Sequence, residues 1–219
     1  MIMDKTELAA FVSRELIGLY PESSCALDYR NEPWKLLVMG RLSAQCTDKR
    51  VNIVCETLFS EFPTAKALGE GDLCRIEEIV RPCGLYRTKA ASIKEACRML
   101  TEEYGGVLPD KMEDLLRFPG VGRKIANLLL GDIYGLPAIV ADTHCIRVSA
   151  RVGLTPQGEK DPYRTEMILR EHLPPEGSSD FCHRIVQFGR DICDARKPKC
   201  EVCPLIAVCQ YYESVRKEG

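Results

Sequence analysis

The chain contains no long apolar run. Its first stretch, MIMDKTELAAFVSREL, mixes acids, bases and apolar positions, so it is neither a secretory signal nor a membrane span. Strand-like alternation of apolar and polar residues is nearly absent, which argues against a sheet. Histidine is scarce: only His144, His172 and His183 occur, little material for histidine-centred catalysis. No Ser-His-Asp order and no phosphate-cradling Walker loop is visible. The net charge of −2 names no partner by itself. No internal repeat, low-complexity tract or long linker appears. The expectation from these absences is a cytosolic protein with no membrane association.

What is present is enough apolar residue for a core and an unusual number of thiols. With 219 residues and 45% hydrophobic content, the chain suits one large domain or two small ones. Apolar residues recur at helical spacing, as in Ile125, Leu128, Leu129 and Ile133. Helices are expected over about 33–45, with Pro33 in the first turn, and 48–62, capped by Thr47 or Asp48. Further helices are expected over about 72–81, 88–104, 110–117, 123–134, 143–152, 162–172, 179–190 and 205–216. Gly105-Gly106 and Gly153 supply stops, and LPPEGSSD (173–180) is a connection. The fold expected is all-α.

Twelve cysteines are present. Thiols stay reduced in the cytosol, so clustered cysteines there usually bind metal. Eight of them lie scattered in apolar surroundings as small buried hydrophobes. The other four, Cys193, Cys200, Cys203 and Cys209, fall within CDARKPKCEVCPLIAVC with gaps of six, two and five. Only Cys200 and Cys203 form a C-x2-C knuckle, whereas zinc sites usually pair two. Such compact spacing suits a cubic iron–sulfur cluster, and Pro204 after Cys203 resembles ferredoxin loops. Cluster and zinc both stay open on spacing alone, with a structural disulfide pair a remote third.

Charge is unevenly placed. Residues 184–199 carry a net +3 and residues 70–78 a net −3, so one face could meet a polyanion that another repels. A short basic run is also what an ordinary solvated loop looks like. The segment FPGVGRK (118–124) places two glycines between predicted helices. The turn allows close backbone approach, and the following helix begins with unpaired N–H groups suited to one backbone phosphate. Read blandly, it is a helix connection. Lys124 sits beside Arg123 at the positive end of that helix, and both effects would lower its pKa and free a nucleophilic amine. Most lysines are simply solvated. Asp142 opens DTHCIRVSARVG as a natural N-cap for the amides of His144 or Cys145. His144 alone is more often structural than catalytic.

Together, LSAQCTDKRVN (42–52), CGLYRTKA (83–90), FPGVGRKIAN (118–127), VADTHCIRV (140–148) and the terminal cysteines resemble the endonuclease III family of DNA glycosylases, within the helix-hairpin-helix superfamily. The likeness runs in order from about residue 30 to 210. It implies two helical domains with a DNA-binding cleft between them: a six-helix domain with the helix-hairpin-helix over 26–136, and a cluster domain joining 1–25 to 137–219. It implies a four-iron four-sulfur cluster on Cys193, Cys200, Cys203 and Cys209, acting as a staple that presents Arg196, Lys197 and Lys199 to DNA phosphates.

The implied activity is excision of oxidised pyrimidines from double-stranded DNA with cleavage at abasic sites, by a monomer of bacterial or archaeal source working on the nucleoid. Lys124 would form a Schiff base with the sugar and Asp142 would assist. Gln45 would fill the space left by the extruded base and Leu85 would wedge into the opposite strand. Gly120, Gly122 and Arg123 would grip a phosphate, with a monovalent cation at the hairpin, and Asp48 and His144 would lie near the lesion pocket. WKLLVMGRL lacks the carboxylate of adenine-removing relatives, and Lys124 is absent from monofunctional mismatch glycosylases. Gly40-Arg41 departs from a helix that is usually apolar here. Two other classes are a non-catalytic hairpin DNA-binding protein and an iron–sulfur redox sensor.

Overall fold

The computed structural model describes residues 3–218, the last three by backbone alone. Among the described residues twelve α-helices run in order: α1 Lys5–Leu19, α2 Pro33–Leu42, α3 Asp48–Glu61, α4 Ala65–Glu70, α5 Leu73–Val80, α6 Tyr86–Tyr104, α7 Met112–Leu115, α8 Arg123–Tyr134, α9 Thr143–Val152, α10 Pro162–His172, α11 Ser178–Asp191 and α12 Gln210–Glu218. Short 3-10 turns lie at Arg81–Cys83, Cys200–Val202 and Ile206–Val208. Among the described residues there is no strand, and no helix is long and apolar enough to cross a membrane.

The chain divides into two units: Cys25–Gly135 is continuous, and the other combines the chain up to Ser24 with the chain from Leu136 onward. In the continuous unit, α6 packs against α2, α4 and α5. Leu36, Leu37, Met39, Leu58, Leu68, Ile76, Ile93 and Leu100 are buried there, and each such side chain contributes about 1.5–3 kcal/mol of transfer free energy. Short polar side chains start the helices: Thr47 accepts from the amide of Arg50, Thr64 from Ala67 and Asp72 from Arg75. Helix α6 ends on Gly105 at φ +60°, after which Gly106 donates to the carbonyl of Leu100 at 2.8 Å.

Glycine decides two close approaches in this unit. A Cβ on Gly69 would lie 2.8 Å from the backbone nitrogen of Arg98, so α4 presses on α6 only because the side chain is missing. Gly40, in the middle of α2, faces Ile125 of α8, whose Cγ2 lies 3.2 Å from the position of a Cβ. The roughly 1 kcal/mol that glycine costs inside a helix is set against close packing of α2 on α8.

In the discontinuous unit, α1 opens with a reciprocal capping box. The Asp4 carboxylate accepts from the amides of Thr6 and Glu7, and Glu7 returns a bond to the amide of Asp4 at 3.0 Å. Its stripe of Leu8, Val12 and Leu16 is buried, with α10 and α11 as neighbours. Helix α9 packs on α10, α11 and α12.

Two boundaries and two helices differ most from the sequence expectation. The first predicted segment stops at Leu42 because Gln45 adopts a left-handed conformation. The expected helix 205–216 begins only at Gln210: a 3-10 turn and an extended Cys209 (φ −80°, ψ +108°) precede it. Helices α1 and α4 are not expected from the sequence, although Asp4 and Glu7 already spell the cap of α1 and Thr64 that of α4.

Candidate functional site

The hairpin lies in the continuous unit. Phe118 is buried with its ring 5.2 Å from Tyr104, and the turn closes through the amide of Val121 donating to the Phe118 carbonyl at 3.0 Å. Gly120 sits at φ +79°, and a Cβ there would lie 2.3 Å from Nε of Arg41. Arg41 therefore lies across the turn, and its Nε donates to Ser92 Oγ at 3.1 Å. The arginine that breaks the apolar pattern of α2 is held half-buried against the hairpin. Gly122 then caps α8 and, lacking a side chain, makes no capping hydrogen bond to the first turn. Lys124 is exposed on that first turn, and Arg123 beside it is half-exposed.

Gln45 and Leu85 belong to the same unit, each in a left-handed conformation, at φ +54° and φ +48°. A non-glycine residue there costs about 1–3 kcal/mol, and such strain clusters at functional sites. Leu85 is also 60% exposed, unusual for a leucine at the start of a 19-residue helix. Asp48 opens α3 next to the Thr47 cap, half-buried. Near it, burial and then Asp132 and Asp48 push the Cys25 thiol up to about 12.

In the discontinuous unit, Asp142 caps α9: its Oδ1 accepts from the amide of Cys145 at 2.7 Å. One oxygen of a half-buried carboxylate is thus committed to structure, while the same group still carries a second. Burial holds the His144 imidazole below its ordinary value, Asp142 pulls the other way, and Arg147 and Arg190 add to the depression. His144 Nδ1 faces Arg147 Nη2 at 3.1 Å.

Two arginines missed from the sequence tie α9 to the cysteine loop. Arg147 reaches the carbonyls of Gly189 at 2.9 Å and Cys193 at 3.1 Å. One turn on, Arg151 Nη1 donates to the carbonyl of Asp194 at 2.7 Å and lies 3.3 Å from Cys193 Sγ, while Nη2 reaches the Ala195 carbonyl at 2.8 Å. Its guanidinium stacks over Tyr211 at 4.4 Å. The i, i+4 spacing of Arg147 and Arg151 on a helix ending in Gly153 was the available signal. Within the loop, Asp194 accepts from the amides of Arg196 and Lys197, a turn that leaves the side chains of Arg196, Lys197 and Lys199 exposed.

Among the described residues no three His, Cys, Asp or Glu side chains converge as a single bound ion requires, so the fit of a cluster is tested on donor chemistry. Cys193 and Cys209 are buried, with Cys200 and Cys203 half-buried. Burial, offset by a bond from the Leu205 backbone, and then the three other sulfurs push Cys203 up to about 11; burial and then Cys193 also raise Cys200, with Glu201 adding and Arg151 opposing, and burial and Cys193 raise Cys209 against bonds from the Tyr212 and Tyr211 backbone. Four thiols gathered in one loop, three of them resisting ionisation, with a guanidinium against the sulfur of Cys193, form a soft donor set that a positively charged iron centre would stabilise. Arg151→Met is expected to lower the iron and sulfide bound per chain and to speed cluster loss in air. Metal analysis of the purified variant checks it; undiminished iron content and air stability would show that the guanidinium plays no part in holding the loop.

The chain was compared with known proteins. Residues 38–175 match the HhH-GPD superfamily of base excision DNA repair proteins, and residues 193–209 match the iron-sulfur binding domain of endonuclease III. Endonuclease III of Synechocystis sp. is 45% identical over 94% of this chain and 93% of its own length. The solved structure of a non-covalent endonuclease III–DNA complex superposes with a TM-score of 0.91 at 36% identity, covering 99% of this chain and all of the other. A trapped endonuclease III–DNA covalent intermediate gives the same TM-score and identity over 98% of this chain and 100% of that one.

Proposed function

We propose, for a chain that belongs to the endonuclease III family of HhH-GPD base excision DNA repair proteins, that it is a bifunctional DNA glycosylase and abasic-site lyase whose nucleophile is Lys124 and whose assisting carboxylate is Asp142. The observation that carries this reading is the setting of Lys124: an exposed amine on the first turn of α8, directly after a glycine turn whose N-cap makes no side-chain bond. A lysine so placed reaches a sugar when the neighbouring amides hold a backbone phosphate. The covalent intermediate trapped in a relative with 36% identity supports the same chemistry.

C1′ of a damaged nucleotide is inaccessible inside a stacked duplex, so the nucleotide must be turned out. Gln45 and Leu85, strained and exposed, fill the vacated space and separate the opposite strand. The Lys124 amine, having given up a proton, forms a bond to C1′ as the bond to the base breaks, and the departing base takes up a proton. Ring opening gives a protonated Schiff base. Asp142 moves these protons and stabilises positive charge developing on the sugar. The iminium acidifies the C2′ proton; its loss expels the 3′ phosphate oxygen, breaking the strand, and water later releases the lysine. Asp48 and His144 line the lesion pocket, and an oxidised pyrimidine is the substrate class.

The chain carries a four-iron four-sulfur cluster, for which Cys193, Cys200, Cys203 and Cys209 are the ligands in this reading. When bound it supplies a cross-link without redox turnover, fixing Arg196, Lys197 and Lys199 where they meet DNA phosphates. Gly120, Gly122 and Arg123 hold a second stretch of backbone. The protein acts on DNA in the cytoplasm.

The test is borohydride reduction of the protein mixed with duplex DNA containing an oxidised pyrimidine. A covalent adduct is expected. Tight binding without any adduct would support a hairpin DNA-binding protein instead, and rapid reduction of the cluster in DNA-free protein by an electron donor, again without an adduct, would support a redox sensor.

A further inference from the structure

Lys89 is among the largest fully buried side chains of the described residues, with 0% exposure, and the mechanism leaves it without a role. Its own amide makes the first bond of α6, donating to the Leu85 carbonyl at 3.0 Å. Its side chain turns inward, where Nζ donates to the carbonyl of Leu42 at 2.8 Å and to that of Cys83 at 2.7 Å.

Both acceptors are ends of elements. Leu42 is the last residue of α2, where helix carbonyls lack intrahelical partners and favour a cation. Cys83 closes the 3-10 turn Arg81–Cys83. Three residues beyond Leu42 stands Gln45, and two beyond Cys83 stands Leu85, the two non-glycine residues forced to positive φ at 54° and 48° in these connections. One buried amine thus joins the two backbone stems from which these residues project. Burial lowers its affinity for a proton, Cys46 and Cys83 oppose that, and Arg41 adds to it; the amine donates in either protonation state, so the bridge does not depend on its charge.

We infer that Lys89 is a positioning residue that holds the Gln45 and Leu85 connections at a fixed separation, so that both side chains enter the duplex together. The inference rests on the proposed function, in which Gln45 and Leu85 enter DNA. The same helix offers an internal comparison. Lys94 Nζ also bridges two carbonyls, those of Gly69 and Gly71, but these flank no residue assigned to DNA. A lysine staple that serves only the fold should behave alike at both positions.

The experiment measures two reactions for each variant: excision of an oxidised pyrimidine from intact duplex, and strand cleavage at an abasic site facing a one-nucleotide gap, where there is no opposing base to separate. Lys89→Met, with folding checked by thermal unfolding, is expected to lower the first about 10- to 100-fold, the scale of a misplacement near 1 Å, and the second less than about 3-fold. Lys94→Met is expected to lower the unfolding temperature and leave the ratio of the two reactions unchanged. Combined with Leu85→Ala, Lys89→Met should cost less than the product of the single losses, because both act through one contact with DNA.

Equal losses in both reactions, or strict multiplicativity in the double variant, overturn the inference. If Gln45→Ala and Leu85→Ala impair duplex excision while folded Lys89→Met does not, the inference fails and the proposed function stands. If neither of those two variants impairs it, the insertion roles fail and Lys89 loses its purpose with them. Should Lys89→Met not fold, Lys89→Gln, whose amide reaches one of the two carbonyls, gives the same comparison.

Discussion

Lys124→Gln is expected to bind lesion-bearing duplex with near wild-type affinity while losing strand cleavage and borohydride trapping by about 10³-fold or more. The side chain is exposed on the first turn of α8, so its removal opens no cavity and breaks no buried bond. Thermal unfolding should therefore move little. Glutamine keeps most of the length and polarity but has no amine able to form a Schiff base. The two readouts separate because, in the proposed reading, phosphate contact comes from backbone amides at the hairpin, which the substitution leaves in place. Trapping at the wild-type rate would falsify the assignment of Lys124, since another amine would then have to be the nucleophile.

Asp142 allows a sharper separation of structure from chemistry. Its Oδ1 accepts from the Cys145 amide, a bond asparagine can also make, and the two residues cap helices about equally well. Asp142→Asn is expected to leave the unfolding temperature nearly unchanged and to lower excision by about 10²–10⁴-fold, the usual loss of a proton-transferring group. Asp142→Ala should lose the activity and also about 1 kcal/mol of stability with the cap. Single-turnover excision and thermal unfolding, measured on both variants, check this. If the alanine variant alone loses activity, the carboxylate matters for its bond to Cys145 and not for its charge.

Much of this site could be read from residue order because its chemistry is local. Proline, two glycines and a lysine within seven positions make the hairpin, four thiols within one loop announce a cofactor, and an aspartate before a helical run is a cap. What could not be read depends on distant parts of the chain meeting. Neither Gln45 nor Leu85 is itself a residue type that favours a left-handed backbone; glycine or asparagine at those positions would have signalled one. Arg41 looked like an interruption of an apolar helix, and only the fold brings it against Gly120. Arg147 and Arg151 look like ordinary surface arginines until the loop at Cys193 folds back onto α9. Lys89 resembles any polar residue near a helix start. Helix α1 is a different case, since its capping box and buried stripe lay in plain view.

The division of the chain at Ser24 and Gly135 also sets an order of assembly during translation. The continuous unit has every helix it needs once Gly135 clears the ribosome exit, and domains generally fold as they emerge. Helix α1 is made first yet must wait for α10 and α11 before Leu8, Val12 and Leu16 are covered. Until then the nascent protein holds a sticky amphipathic segment ahead of a finished hairpin. In the proposed reading, synthesis halted before Cys193 would yield a chain that holds Lys124 but none of the four candidate cluster ligands.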